Sequence, residues 1–262
     1  MVLKFCSNLS FMFQESGSLL ERYELARQAG FKAVECAFPY DYAPQEIAQA
    51  KTKAGVQQVL INSYPGNWEK GERGLAAVPG KSSEFKASIE QAIDYAKKLD
   101  CKRIHIMSGV IETEAPEHLM VYRSNLNLAE KMLRENDIVG VIEPINKYSL
   151  PNYFLNDYKK ATSIIKEIDS PHIRLQLDLF HMQQICGNLT KNLENLLPFV
   201  GHIQVAQVPD RHEPNTPGEI NYKYVYDFLE KLGYDGWIGL EYTPKKKTTD
   251  GLNWLTEYGY SL

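Results

Sequence analysis

Apolar positions along the chain switch between two periods. Short runs rich in β-branched and aromatic residues alternate with longer stretches whose apolar residues recur every three or four positions. The pattern predicts strands over Leu3–Leu9, Ala33–Phe38 and Gln58–Tyr64, then over Arg103–Ser108 and Gly140–Ile145. Three more follow over Ile173–Leu179, Gly201–Gln207 and Trp237–Tyr242. Helices fall between them, over Ser18–Ala29, Ala43–Ala54, Ser82–Leu99, Pro116–Glu135, about Asn156–Ile168, Thr190–Leu197 and Tyr222–Leu232, with a short closing helix over Gly251–Tyr258. Local signals agree with several of these ends. Gly30 and Gly55 suit helix stops, Pro44 suits a first turn, and Ser82-Ser83-Glu84 reads as a capping signal. The Gly-rich stretch Pro65–Lys81 reads as a long loop, a place where function often sits.

Strand-then-helix alternation requires parallel strands joined by helical crossovers. Eight such units within 262 residues, with no linker, fit one closed (β/α)8 barrel domain over residues 1–262, a fold that needs about 250 residues. An open doubly wound sheet predicts G-x-G-x-x-G after the first strand. Here that turn carries Asn8, Ser10 and Phe11 and no glycine before Gly17.

Composition excludes other classes. A hydrophobic fraction of 44% with 24% charged residues is ordinary for a soluble globular chain. The net charge of −4 and a pI near 5.9 argue against a nucleic-acid partner, which needs clustered Lys and Arg. Cys6, Cys36, Cys101 and Cys186 form no C-x-x-C pair, so a reduced, cytoplasmic chain without thiol-bound zinc is expected. The first residues read as a strand and not a signal peptide, and no run is long enough for a membrane span. No feature decides for or against a homo-oligomer through the outer helices.

In such a barrel, chemistry gathers where the strands end. Glu143 ends the fifth strand, Asp178 the sixth and Glu241 the eighth, and Gln204 lies on the seventh. Each sits in an apolar run, where an ionised carboxylate is costly unless paired or metal-bound. Four consecutive strands thus offer oxygen donors to one rim, a set that suits a hard divalent cation, Mg²⁺ or Mn²⁺. The plain alternative is that each acid pairs with a nearby Lys or Arg. His181 can face the same mouth and donate to a substrate oxygen. Arg211, in the polar loop Pro209–Asn221, can fork onto a substrate carboxylate or merely be solvated with His212. His105 reads as a satisfied core residue, and His202 points the same way as Gln204 but deeper. Trp68 and Arg73 are lid candidates, or else an exposed aromatic and a loop charge.

The runs FCSNLS (Phe5–Ser10), FPYDY (Phe38–Tyr42), GNWEKGERG (Gly66–Gly74), IEPIN (Ile142–Asn146), D-x-x-H (Asp178–His181), HIQVAQ (His202–Gln207), DRHEP with GEINY (Asp210–Tyr222) and GWIGLEY (Gly236–Tyr242) resemble hydroxypyruvate isomerase, a family of the xylose isomerase-like TIM barrels. The likeness runs from Leu3 to about Trp254. It implies Glu143 and Glu241 as the acid/base pair and Glu143, Asp178, Gln204 and Glu241 as divalent-metal ligands. It also implies His181 and Arg211 as substrate contacts. The ketose 3-epimerases of the wider superfamily carry His where this chain has Gln204, and the Thr216-Pro217-Gly218 step adds a residue to the usual loop. The implied reaction is the interconversion of hydroxypyruvate and tartronate semialdehyde through an enediolate. Three other readings compete. One is a related isomerase or epimerase acting on a 2-oxo-tetronate or ketose. The second is a DNA-repair endonuclease, which needs a basic groove and a His-rich zinc site. The third is a non-catalytic barrel that binds a small acid.

Overall fold

The computed structural model describes residues 2–262; Met1 lies outside the described residues. Eight parallel strands close into a barrel in sequence order, with β8 pairing back onto β1. The strands are β1 (Lys4–Asn8), β2 (Ala33–Cys36), β3 (Gln57–Asn62), β4 (Arg103–His105), β5 (Val139–Ile142), β6 (Ile173–Asp178), β7 (Val200–Val205) and β8 (Trp237–Leu240). The helices are α1 (Leu19–Gln28), α2 (Pro44–Ala54), α3 (Ser82–Leu99), α4 (Pro116–Glu135), α5 (Tyr158–Ile168), α6 (Leu179–Ile185), α7 (Leu189–Leu196), α8 (Tyr222–Lys231) and α9 (Asn253–Glu257). None is long and apolar enough to cross a membrane. All four cysteines are free thiols.

The hydrophobic shell lies between the sheet and the helices. On α3, Phe85, Ile89, Ala92, Ile93, Ala96 and Leu99 repeat at helical spacing and are buried. Each large aliphatic side chain so buried contributes about 1.5–3 kcal/mol. Gly55 ends α2 at φ +68° and Gly30 follows α1 at φ +103°, as their positions predicted. Ser82 does not cap α3: the N-cap residue is Lys81, whose ammonium instead pairs with Glu72 and Glu84. The sixth strand stops at Asp178 and turns straight into α6, a helix the periodicity did not reveal because it has only 7 residues.

Inside the barrel the upper layers are polar. Asn8, Glu35, His105, Gln176, His202 and Gln204 are all buried there. Contacts between strands that are not neighbours, such as His202 on β7 with Glu35 on β2, show that these side chains meet across the interior. Gly239 on β8 leaves the space that Glu35 fills, since a Cβ there would lie 2.3 Å from Glu35 Oε1.

The loop over residues 65–81 is pinned to the mouth. Gly74 pairs with Ser108 just beyond β4, at φ +116°, and a Cβ on it would lie 2.4 Å from the Met107 carbonyl oxygen. Both the backbone angle and the close approach require glycine. Gly74→Ala is therefore expected to cost about 2–3 kcal/mol of stability in urea unfolding. A loss below about 0.5 kcal/mol, typical of a neutral surface change, would contradict this docking.

Candidate active site

The strand ends bring Glu143, Asp178, His181 and Glu241 together, each with a donor atom within 4.8 Å of the others. Asp178 closes β6 and caps α6, its Oδ1 accepting from Phe180 N at 2.7 Å. That turn swings His181 back over the mouth. Backbone and side-chain nitrogens of Asn146 lie 3.3 Å and 2.7 Å from His181 Nδ1. Since the Asn146 backbone N–H can only donate, Nδ1 accepts and Nε2 carries the proton. That Nε2 lies 3.6 Å from Asp178 Oδ2 and 3.8 Å from Glu143 Oε1, placed to donate into the site.

Arg211 is the cation beside these acids. Its Nη2 bonds Glu241 Oε2 and lies 3.5 Å from Asp178 Oδ2, and its guanidinium packs between Phe11 and Phe180 at 4.7 and 4.8 Å. Its loop is held by Gln207, whose Nε2 donates to the carbonyls of Pro214, Thr216 and Ile220. The pairing expected as the plain alternative is thus present for Asp178 and Glu241. Glu143 has no such partner. Its Oε2 accepts from Gln176 Nε2 at 3.1 Å, while its Oε1 is buried without a hydrogen bond.

One guanidinium facing three carboxylates leaves the acids short of positive charge, and their affinity for protons rises. Burial, then repulsion from Glu241 and Asp178, raises Glu143 well above the carboxylate range. Burial pushes Glu241 up to about 8 against the pull of Arg211. Burial also raises Asp178 despite Arg211 and the Phe180 N–H. Burial lowers His181 well below the usual imidazole value, with Arg211 adding to the effect. The orphaned oxygen of Glu143 and the converging hard donors fit a divalent cation, which would restore all three acids to their ionised forms.

Gln204 stands apart from the expected ligand set. Its Oε1 accepts from Gln176 Nε2 at 2.6 Å, and its Nε2 donates to Glu35 Oε1 at 2.8 Å and to Glu241 Oε1 at 3.2 Å. The face it turns to Glu241 is therefore its nitrogen. The reading of His105 as a satisfied core residue is overturned. It lines the cavity at the end of β4, and its Nε2 is buried without a hydrogen bond, 3.6 Å from Glu143 Oε2. Burial drives its imidazole down to about 3, so it is neutral. His202 lies deeper than Gln204, as its position implied, with Nε2 2.6 Å from Glu35 Oε2.

A cavity of about 380 Å³ opens at this mouth, and Glu143, His181, Arg211 and Glu241 line it together with Phe38, Trp68 and Arg73. Arg73 lies flat on Trp68, 3.5 Å from the ring centroid, and its Nη1 donates to the carbonyls of Trp68 and Glu72. Both lid candidates therefore border the same space as the acids. A larger groove of about 820 Å³ runs over α1 and α2, but no buried titratable side chain lines it.

Two groups went unread in the sequence. Glu35 is a lone acid in the apolar run AVECAF, the same signal that marks Glu143, but it stands before the strand end, outside the rim that the barrel fold singles out. Gln176 has no such signal, since an uncharged amide in a strand is unremarkable.

Similarity to known proteins agrees with this geometry. Residues 23–258 match the family model described as xylose isomerase-like TIM barrel. The chain is 45% identical to the putative hydroxypyruvate isomerase of Homo sapiens, over 98% of this chain and 95% of that protein. It is 37% identical to the hydroxypyruvate isomerase of Escherichia coli, over 98% and 100%, and 40% identical to the 2-oxo-tetronate isomerase of Cupriavidus necator, over 97% and 98%. A crystal structure from Brucella melitensis described as AP endonuclease, family 2, superimposes with a TM-score of 0.95 at 40% identity, over 98% of this chain and 99% of that one. The chain belongs to the xylose isomerase-like TIM barrels and, within them, to the hydroxypyruvate isomerase family of isomerases.

Proposed function

We propose that the protein interconverts hydroxypyruvate and 2-hydroxy-3-oxopropanoate (tartronate semialdehyde), using Glu143 and Glu241 as the acid/base pair. The observation that carries this reading is the convergence of those two carboxylates, within 4.8 Å, at the mouth of a cavity sized for a small molecule. The cytoplasm, where its four free thiols stay reduced, is the compartment this reading takes.

The reaction moves one carbon-bound proton. A base removes it from C3, an enediolate forms, and an acid delivers a proton to C2. The hydroxyl proton at O3 passes to O2, so the ketone becomes an alcohol and the alcohol an aldehyde. Glu143 and Glu241 flank the space and share the transfers, one taking and the other returning the proton. Their pairing makes the two titrate as a unit. His181 Nε2–H donates to a substrate oxygen as charge develops there. Arg211 contacts the substrate with one edge while Glu241 and Asp178 hold the other. Arg73, stacked on Trp68 at the same cavity, binds the substrate carboxylate and the pair closes over it. Glu143, Asp178 and Glu241 would hold a divalent cation, Mg²⁺ or Mn²⁺, which would supply Lewis-acid polarisation of the carbonyl. Gln204 stands behind this set, its amide nitrogen donating to Glu241, and so orients a ligand without being one.

A second substrate, a 2-oxo-tetronate, has one observation in its favour: the cavity has room for a fourth carbon with its hydroxyl. The exclusion of a DNA-repair role rests on the three carboxylates and Gln204 at the strand ends, where a zinc nuclease needs histidines.

Hydroxypyruvate in heavy water with the metal-loaded enzyme is expected to exchange its C3 protons, followed by NMR, and Glu143→Gln or Glu241→Gln is expected to lower turnover by about 10²–10⁴-fold in folded protein. Near-normal turnover in either variant would refute the two-glutamate scheme. Trp68→Ala and Arg73→Met are each expected to raise KM about tenfold with kcat less affected; unchanged KM in both would remove them from the substrate site.

The raised acids also set a pH dependence. Glu241 titrates near 8 in the fold against an ordinary 4.5, so between those values the folded chain binds more protons than the unfolded one. Metal-free stability should therefore fall as pH rises from about 5 to 8, and saturating Mn²⁺ should abolish the fall because binding displaces those protons. Thermal melts in EDTA and in Mn²⁺ across that range test this, and a metal-free Tm that holds level or rises would count against it.

A further inference from the structure

A chain of buried side-chain amides joins the two site glutamates through the barrel interior. Gln176 Nε2 donates to Glu143 Oε2 at 3.1 Å and to Gln204 Oε1 at 2.6 Å. Gln204 Nε2 donates to Glu241 Oε1 at 3.2 Å and to Glu35 Oε1 at 2.8 Å. Asn8 Nδ2 spans the same two carboxylates, at 3.3 Å to Glu241 Oε1 and 2.9 Å to Glu35 Oε1. Each amide nitrogen has two hydrogens, and each serves two acceptors.

The direction of this chain is not free. An amide turned over exchanges a donor for an acceptor at nearly the same position, so something must choose. Glu35 chooses. It is fully buried, and its other oxygen faces His202 Nε2 at 2.6 Å. An ionised carboxylate only accepts, so Gln204 must turn nitrogen toward it; Asn8 is already oriented, since its Oδ1 accepts from Ser10 N at 2.9 Å. Gln204 then presents its oxygen to Gln176, and Gln176 has its remaining hydrogen for Glu143. The missing Cβ of Gly239 is what admits the Glu35 carboxylate between these strands.

We infer that Glu35 is a positioning residue whose anchored carboxylate sets the polarity of the Gln204–Gln176 amide chain, so that both site glutamates receive only N–H donors on their inner oxygens. Without Glu35 as an acceptor, Gln204 can turn its oxygen toward Glu241, and Gln176 can then turn its oxygen toward Glu143. The repulsion moves those carboxylates from the positions proton transfer requires. Glu35 is not among the residues lining the cavity; it acts through the amides.

Three variants test this, with kinetics that rest on the proposed isomerase reading and a spectroscopic measurement that does not. Glu35→Leu removes the acceptor. Glu35→Gln keeps an acceptor oxygen toward Asn8 and Gln204 while its amide nitrogen donates to His202. Gln176→Leu cuts the chain at its middle and leaves Glu35 and His202 paired. Glu35→Leu and Gln176→Leu are each expected to lower kcat about 100-fold with KM within about threefold of the parent protein. Glu35→Gln is expected to retain kcat within about fivefold, since one neutral acceptor replaces a charged one at the same place. In parallel, side-chain amide NMR of the metal-free protein should show Gln204 protected from solvent exchange in the parent and in Glu35→Gln. That protection should be lost in Glu35→Leu. The inference is overturned if Glu35→Gln loses as much kcat as Glu35→Leu, if Gln176→Leu keeps kcat near the parent value, or if amide protection survives in Glu35→Leu. Should Glu35→Leu fail to fold, Glu35→Gln and Gln176→Leu decide the matter between them. If no variant and no parent protein turns over hydroxypyruvate, the amide measurement still reads the polarity directly.

Discussion

Everything at the mouth of this barrel follows from the cost of burying carboxylates away from water. Glu35, Glu143 and Asp178 are buried, and Glu241 sits beside them. An ionised carboxylate without compensation is expensive in such a place, and each acid meets the cost differently. Glu35 has a histidine at 2.6 Å and two amide donors, which together outweigh burial and hold it below the usual carboxylate range. Asp178 and Glu241 share one guanidinium. Glu143 has only Gln176, and one of its oxygens is left over. Acids that are poorly compensated in the resting protein are the ones able to exchange protons or take up a cation.

The fold supplies that imbalance by geometry. Parallel strands of a closed barrel end on one face, so side chains from β5, β6 and β8 arrive together although they lie far apart in the chain. The register aligns Asp178 with Gln204 and Gln204 with Gly239, and the glycine opens the interior to Glu35. Longer loops then complete the cavity from above. Gln207 staples the loop that carries Arg211, and Gly74 ties down the loop that carries Trp68 and Arg73. Stability and function use the same groups here, since the hydrogen bonds that satisfy the polar interior also orient the acids.

Much of this was legible in residue order. The alternation of periods gave the barrel, and acids stranded in apolar runs marked Glu143, Asp178 and Glu241. The same criterion applied to AVECAF would have marked Glu35, but its partner His202 is 167 residues away and nothing local connects them. The burial of His105 is legible in its apolar strand, but its unpartnered nitrogen is a fact of three-dimensional contacts. Gln204 was foreseen at the rim, but an amide's oxygen and nitrogen are alike in a sequence. Which one faces Glu241 depends on Gln176 and Glu35 together.

By itself the sequence determined the class of fold, the end of the barrel where chemistry gathers and the acids that could perform it. These follow from periodicity and from the cost of a charge in an apolar strand, both local properties. Only the tertiary structure decided which acid has a cation and which does not, which tautomer His181 adopts and which way the interior amides point. Those are matters of distance between groups on different strands. Closure of the barrel sets such distances, and no stretch of the chain contains them.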